Sequence, residues 1–389
     1  MFRARDEYRR SQVAIAALFC LLGFQYATWV SRIPTLKTRL DLSEAELGLL
    51  LMVCGGGAAI SFPLVAILTR RLGSRRLAVL SALALGAVLL ALSVTPNYPV
   101  TLLIVCCDGI AVGCLNVAMN AQAAALEVRY RRTTMAKMHA TFSAGSLAAA
   151  LLASGVTALS SSLPAHFGTA TVVLVLLVLA ARSGLLMEDP TPERAAEPAG
   201  KTRRGLTLPT RVTIWMGLAM AFGTVTEGAM NDWSALYLKD TAGAPAELAP
   251  LGIAVISVMM VLARLFADRW RTQWGDERVV RFGSALAGAG LAVALLAGGV
   301  VPALLGFACV GLGIAAVTPC VYVAAARQGS DALALVAAMG TTGLLAGPAM
   351  IGFIASGTSL AWGMGAVAVS ALVVSLCSTR IRFPALADA

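Results

Sequence analysis

The sequence predicts an all-α integral membrane protein, with twelve transmembrane helices arranged as two pseudo-symmetric six-helix bundles. Three observations lead there. Of the 389 residues, 58% are apolar and only 13% charged, more apolar surface than a soluble chain of this length can hide. Apolar stretches of about 20 residues, the length that crosses a bilayer core, recur along the whole chain. Finally, the chain repeats itself. Leu47-Gly48-Leu49 returns as Leu251-Gly252-Ile253, and at a constant offset of 202 residues Gly73 returns as Gly275, Arg76-Leu77 as Arg278-Val279, Gly109 as Gly311 and Gly145 as Gly347.

The first six spans lie near residues 12–33, 46–68, 77–95, 100–124, 138–158 and 165–185, and the second six near 212–236, 249–267, 282–300, 301–325, 332–356 and 359–378. Each must be a helix, because backbone groups in lipid have no water to bond. The first span follows a basic start but is not read as a cleaved signal, since it runs on into Gln25, Trp29 and Arg32 and its counterpart in the second half is internal. The long polar, Pro-rich run from Glu188 to Pro209 joins the halves. This divides the chain into an N-terminal bundle (1–187), a cytoplasmic linker (188–210) and a C-terminal bundle (211–389). With the N-terminus inside, 26 of the 30 Lys and Arg fall on the cytoplasmic side, leaving Arg32, Lys37, Arg39 and Lys239 at the outer face. Both termini are then cytoplasmic, in a bacterial plasma membrane. The net charge of +10 is explained by anchoring to anionic lipid, not by nucleic acid.

All eight cysteines sit within expected spans without metal or redox spacing, and His139 and His166 form no metal constellation. With no nucleophile, base and orienting group at a recognisable spacing, neither an enzyme nor a cofactor is expected. A duplicated bundle of membrane helices is instead the architecture of many secondary transporters.

The six-plus-six repeat with a basic central linker resembles the major facilitator superfamily. The segments WVSRIPTLKTRLDLSEAELGLLL, LNVAMNAQAAALE, HATFSAGSLA, EGAMNDWSALYL and GLLAGPAMIGFIA resemble its MosC-type bacterial branch. That resemblance implies a cytoplasmic latch in the loop after the second span and its repeat, assigned to Gly73, Arg264, Asp268 and Arg269. The chain departs from the family's pattern there, because Arg70-Arg71-Leu72-Gly73 carries arginine where an acid is usual. Two signatures of drug:proton antiporters are also missing. There is no arginine before Gly113 in the fourth span, and the Gly-Pro pair stands only in the eleventh span, as Gly347-Pro348.

The resemblance further implies a cavity lined by the first, fourth, seventh and tenth spans. On the first, Gln25, Trp29 and Arg32 share one helical face, and adding 202 gives Glu227, Asn231 and Ser234 on the seventh. Asn116 and Asn120 on the fourth are one turn apart, and their counterparts on the tenth are Thr318 and Tyr322. Such faces are expensive against lipid, so they are expected to turn inward. Gln25, Trp29, Asn116, Asn120, Asn231, Thr318 and Tyr322 are therefore the expected substrate contacts.

Two acids lie well inside the spans, Asp108 and Glu227. A carboxylate there is costly unless paired or protonated, so both are candidates for proton coupling, with Glu227 ahead because it shares a face with Asn231. Arg32 and Asp232, at the outer ends of the first and seventh spans, are expected to pair as an outer gate. Trp233 is expected in the interfacial aromatic belt and Trp29 in the cavity. No GxxxxGK[ST] loop is present, so the energy is expected to come from an ion gradient, most simply protons. The expected function is proton-coupled transport of a small polar organic solute, sugar-like or cyclitol-like, by a monomer whose partners are the solute, the coupling ion and membrane lipid. An efflux pump for an amphipathic compound, and a non-transporting receptor or assembly factor, are the alternatives.

Overall fold

The computed structural model describes residues 2–130, 134–187, 210–381 and 383, so almost all of the expected 188–210 linker lies outside the described residues. The chain is helical throughout. Its elements are α1 (Phe2–Val30), α2 (Ile33–Leu40), α3 (Glu44–Ser93), α4 (Tyr98–Tyr130), α5 (Met135–Leu159), α6 (Leu163–Arg182) and α7 (Arg211–Leu236), then a π-helical turn at Tyr237–Thr241. They continue with α8 (Leu251–Trp274), α9 (Asp276–Ala297), α10 (Val300–Ile314), α11 (Val317–Arg327), α12 (Ser330–Gly357) and α13 (Leu360–Ser378). Among the described residues, ten helical stretches are long and apolar enough to cross a membrane. The remaining two expected spans are α7 and α8, the latter with a shorter apolar part at Leu251–Ala267.

The helices overrun the expected spans, because Arg and Lys are good helix formers and carry a helix past the bilayer core while their charges reach water. Spans two and three are therefore one helix, α3, interrupted only at Gly73 (φ 73°, ψ 159°). Its repeat, Gly275 (φ 80°, ψ 154°), separates α8 from α9 in the same way. Both glycines hold a conformation with positive φ that a side chain would strain. The start of α3 is fixed by a capping box. Ser43 Oγ accepts from the Glu46 amide (3.2 Å), and Glu46 Oε2 accepts from the Ser43 amide (2.9 Å). The tenth span is split at Ala315-Ala316 into α10 and α11. Pro319, in the first turn of α11, has no N–H to bond the carbonyl one turn back.

Two compact units result. The first comprises residues 1–26, 53–146 and 164–208; the second comprises 27–52, 147–163 and 209–389. The repeat is visible within each. In the first, α4 approaches α3 so closely that a Cβ on Gly109 would overlap the Cys54 carbonyl oxygen. In the second, α10 approaches α8, and a Cβ on Gly311 would lie 2.7 Å from the Ile256 carbonyl oxygen. Cys54 and Ile256 are themselves 202 residues apart, so the duplicated sequence makes a duplicated contact.

Candidate functional site

In the first unit the polar centre is buried. Asp108 on α4 is 1% exposed, and Gln25 on α1 is wholly buried. Gln25 Nε2 donates to Asp108 Oδ1 at 2.8 Å, and Cys54 Sγ lies 3.7 Å from Asp108 Oδ2. The missing side chain at Gly109 is what lets α3 bring Cys54 to this carboxyl group. Gln25 Oε1 has no hydrogen-bond partner among the described residues. Among the described residues the carboxyl group thus meets an amide and a thiol but no cation. Asn116 and Asn120 lie further along α4, where Asn120 Nδ2 donates to Asn116 Oδ1 (2.7 Å) and to the Asn116 carbonyl (2.8 Å). Asn116 is exposed.

In the second unit Glu227 on α7 is partly exposed, and Oε1 lies 3.4 Å from Arg264 Nη2 on α8. Asn231 Nδ2 donates to the Glu227 carbonyl at 2.9 Å. Thr318 and Tyr322, both on α11, are half-buried. Arg264, expected in the latch at the cytoplasmic end of the eighth span, falls mid-helix because α8 continues to Trp274, and it reaches Glu227. Positions 25 and 227, related by the repeat, thus each hold a polar side chain bonded to a neighbouring helix, with opposite chemistry: an amide against an acid in one half, an acid against a guanidinium in the other.

The expected Arg32–Asp232 pair is not formed in this conformer. Arg32, 1% exposed, donates from Nη1 to the Thr157 hydroxyl and from Nη2 to the Ser161 carbonyl at 2.5 Å. The guanidinium thereby sits at the C-terminal end of α5, where the helix dipole favours a cation. Asp232 is buried separately on α7. Trp233 is also fully buried, so it does not face the membrane interface as expected. Trp29 is buried too, and the indole N–H of each tryptophan has no partner among the described residues.

The charged contacts near these helix ends lie elsewhere. Lys37 Nζ on α2 binds Glu44 Oε1 (3.0 Å) and Asp240 Oδ2 (3.3 Å), while Lys239 Nζ lies 4.0 Å from Asp240 Oδ1. Sequence reasoning passes over this cluster, although Lys37 and Lys239 stand at the repeat offset of 202. Close packing accompanies it, since a Cβ on Gly48 would lie 3.0 Å from the Pro348 carbonyl oxygen. Of the expected latch, Gly73 forms the break in α3, Arg269 is exposed, and the side chain of Asp268 lies outside the described residues. The ion pair at that corner joins Arg271 to the buried Asp276 (2.8 and 3.1 Å).

Residues 13–332 match the family model described as Major Facilitator Superfamily. An uncharacterised MFS-type transporter of Yersinia pestis is 34% identical over 382 residues, covering 95% of each chain. Membrane protein MosC of Rhizobium meliloti is 29% identical over 354 residues, covering 89% of this chain and 84% of its own. Among solved structures, the nucleoside transporter NupG superposes with a TM-score of 0.71 at 16% identity, covering 96% of this chain and 98% of its own. A D-xylose-proton symporter does so with a TM-score of 0.72 at 15% identity, covering 97% and 98%. At that identity the two structures speak for the fold alone.

Proposed function

The chain belongs to the major facilitator superfamily and is a secondary transporter, and on that premise we propose that it moves a small polar organic solute, sugar-like or cyclitol-like, in a proton-coupled cycle. The observation that carries the reading is the pair of carboxyl groups inside the helical spans, one buried and with no cation beside it among the described residues, the other partly exposed beside Arg264. The coupling proton is assigned to Asp108, which is buried inside α4 with the Gln25 amide and the Cys54 thiol as its partners among the described residues. Glu227, held against Arg264, acts on the solute together with Asn231. The amides of Gln25, Asn116 and Asn120, the hydroxyls of Thr318 and Tyr322 and the indole of Trp29 supply donors and acceptors suited to a polyhydroxylated solute better than to a lipophilic drug.

Reconstitution into proteoliposomes tests this. An inward proton gradient is expected to drive accumulation of at least one solute from a panel of labelled pentoses, hexoses, nucleosides and cyclitols. Asp108→Asn should abolish accumulation while retaining solute exchange, and Glu227→Gln should lose both. Uptake by the unmodified protein that ignores the proton gradient would exclude coupling, and gradient-driven extrusion of amphipathic dyes in place of uptake would favour the efflux alternative.

Both termini are assigned to the cytoplasm by the excess of basic residues on that side, which makes the Lys37–Asp240 end the outer one. We assign the outer gate to Lys37, Glu44, Asp240 and Lys239, with Arg32 and Asp232 behind them as buried supports. The pairs are partly exposed, so Lys37→Gln should cost about 1 kcal/mol or less. A loss of that size moves an open–closed population by about fivefold. Thiol labelling at Ser154→Cys, whose native hydroxyl donates to the Glu247 carbonyl, should accelerate correspondingly in the Lys37→Gln background; unchanged labelling removes the gate assignment.

A further inference from the structure

The arginine run that departs from the family's pattern finds no partner in the mechanism above. Arg70, Arg71, Arg75 and Arg76 flank the Gly73 break, and none forms an ion pair among the described residues. Arg75 Nη2 donates to the carbonyl of Arg182, the last residue of α6, at 2.8 Å. That contact draws α6 to the corner and adds a third guanidinium to it. Arg75, Arg76 and Arg182 line one groove of about 620 Å³ whose other walls are apolar, including Leu72, Leu80 and Met187. Leu80 is 53% exposed and Met187 83% exposed, so the groove opens to the surroundings. No acid lines it among the described residues.

The repeat supplies an internal comparison. The counterparts of Arg70, Arg71 and Arg75 in the second half are Thr272, Gln273 and Glu277, and only Arg76 keeps its charge, as Arg278. The related corner there holds a groove of about 550 Å³ with Arg278 as its one charged lining residue among those described, walled by Trp270, Trp274, Phe282 and Leu286. Duplication alone does not account for three arginines in the first groove.

We propose that the groove at the Gly73 corner is a binding site for the headgroup of an anionic phospholipid. Guanidinium groups bind phosphate through paired N–H donors, the site stands at the end of membrane spans where headgroups lie, and the apolar walls suit the upper acyl chains. Clusters of basic residues between transmembrane helices on the cytoplasmic side bind anionic lipid in this manner.

Native mass spectrometry of the full-length protein in detergent tests the site, titrating phosphatidylglycerol, phosphatidylcholine or inorganic phosphate. Phosphatidylglycerol adducts should form at concentrations at least about tenfold below those needed for phosphatidylcholine. The variant R75Q/R76Q/R182Q should lose that preference, while R75K/R76K/R182K and the second-half control Arg278→Gln should keep it. Equal binding of both lipids by the unmodified protein overturns the proposal even if the triple variant fails to fold. So does an unchanged preference in a folded triple variant. If inorganic phosphate displaces phosphatidylglycerol at equal concentration, the groove is an anion site and the assignment to lipid is overturned.

Discussion

Alanine at position 109 is expected to destabilise the protein by at least about 2 kcal/mol, and valine there to prevent stable folding. The new Cβ would overlap the Cys54 carbonyl oxygen and lie 2.8 Å from the Ala58 amide nitrogen. Both are backbone atoms inside a continuous helix, so relief requires α3 and α4 to separate along their length. The adjacent pair Gly56-Gly57 provides the control. A Cβ on Gly57 would overlap the Cys106 carbonyl oxygen, whereas one on Gly56 meets nothing within 4 Å. Gly57→Ala should therefore resemble Gly109→Ala, and Gly56→Ala should be neutral or stabilising by up to about 1 kcal/mol, the gain in helix propensity. Thermal unfolding in detergent reads all three. Matching unfolding temperatures for Gly56→Ala and Gly109→Ala would show that the close approach of the helices does not hold this unit together.

Gly109 also shows why the fold is legible in the sequence. Its recurrence as Gly311 reflects one contact made twice, and the backbone geometry shared by Gly73 and Gly275 reflects one corner made twice. Apolar length and a fixed repeat survive as patterns because every position along a span contributes to them. Side-chain pairing carries no such redundancy. Arg264 reads as a latch residue at the end of its span, but the α8 backbone continues to Trp274 and leaves it mid-helix, within reach of Glu227. Trp233 reads as interfacial from its place near a span end, yet it is fully buried, since burial depends on which neighbours arrive from elsewhere in the chain. Lys37 and Asp240 are 203 residues apart, and only the repeat relation between Lys37 and Lys239 hints that the two short segments are comparable. Gln122 is a similar case. Buried on α4, it donates to Ser74 Oγ (2.7 Å) and accepts from the Leu186 amide (2.8 Å), which fixes the chain beyond α6 without any motif to announce it.

Replacing Arg264 with glutamine is expected to cut solute uptake by at least about tenfold, equivalent to about 1.4 kcal/mol of barrier, while changing stability by no more than about 1 kcal/mol. The two effects separate because the pair is only partly buried. Side-chain exposures of 31% for Arg264 and 32% for Glu227 at 3.4 Å leave water to screen the attraction, so the ion pair adds little to folding. Its weight falls on how the Glu227 carboxyl group is held against α8 during the cycle. Lysine at 264 restores the charge but not the planar fork, so uptake in Arg264→Lys should lie between the other two. If the pair acts as one unit, the double variant Glu227→Gln/Arg264→Gln should transport no worse than the poorer single variant, because residues that share one interaction do not lose it twice. Full uptake in Arg264→Gln, or strictly additive losses in the double variant, would separate the two residues and leave Glu227 to act alone.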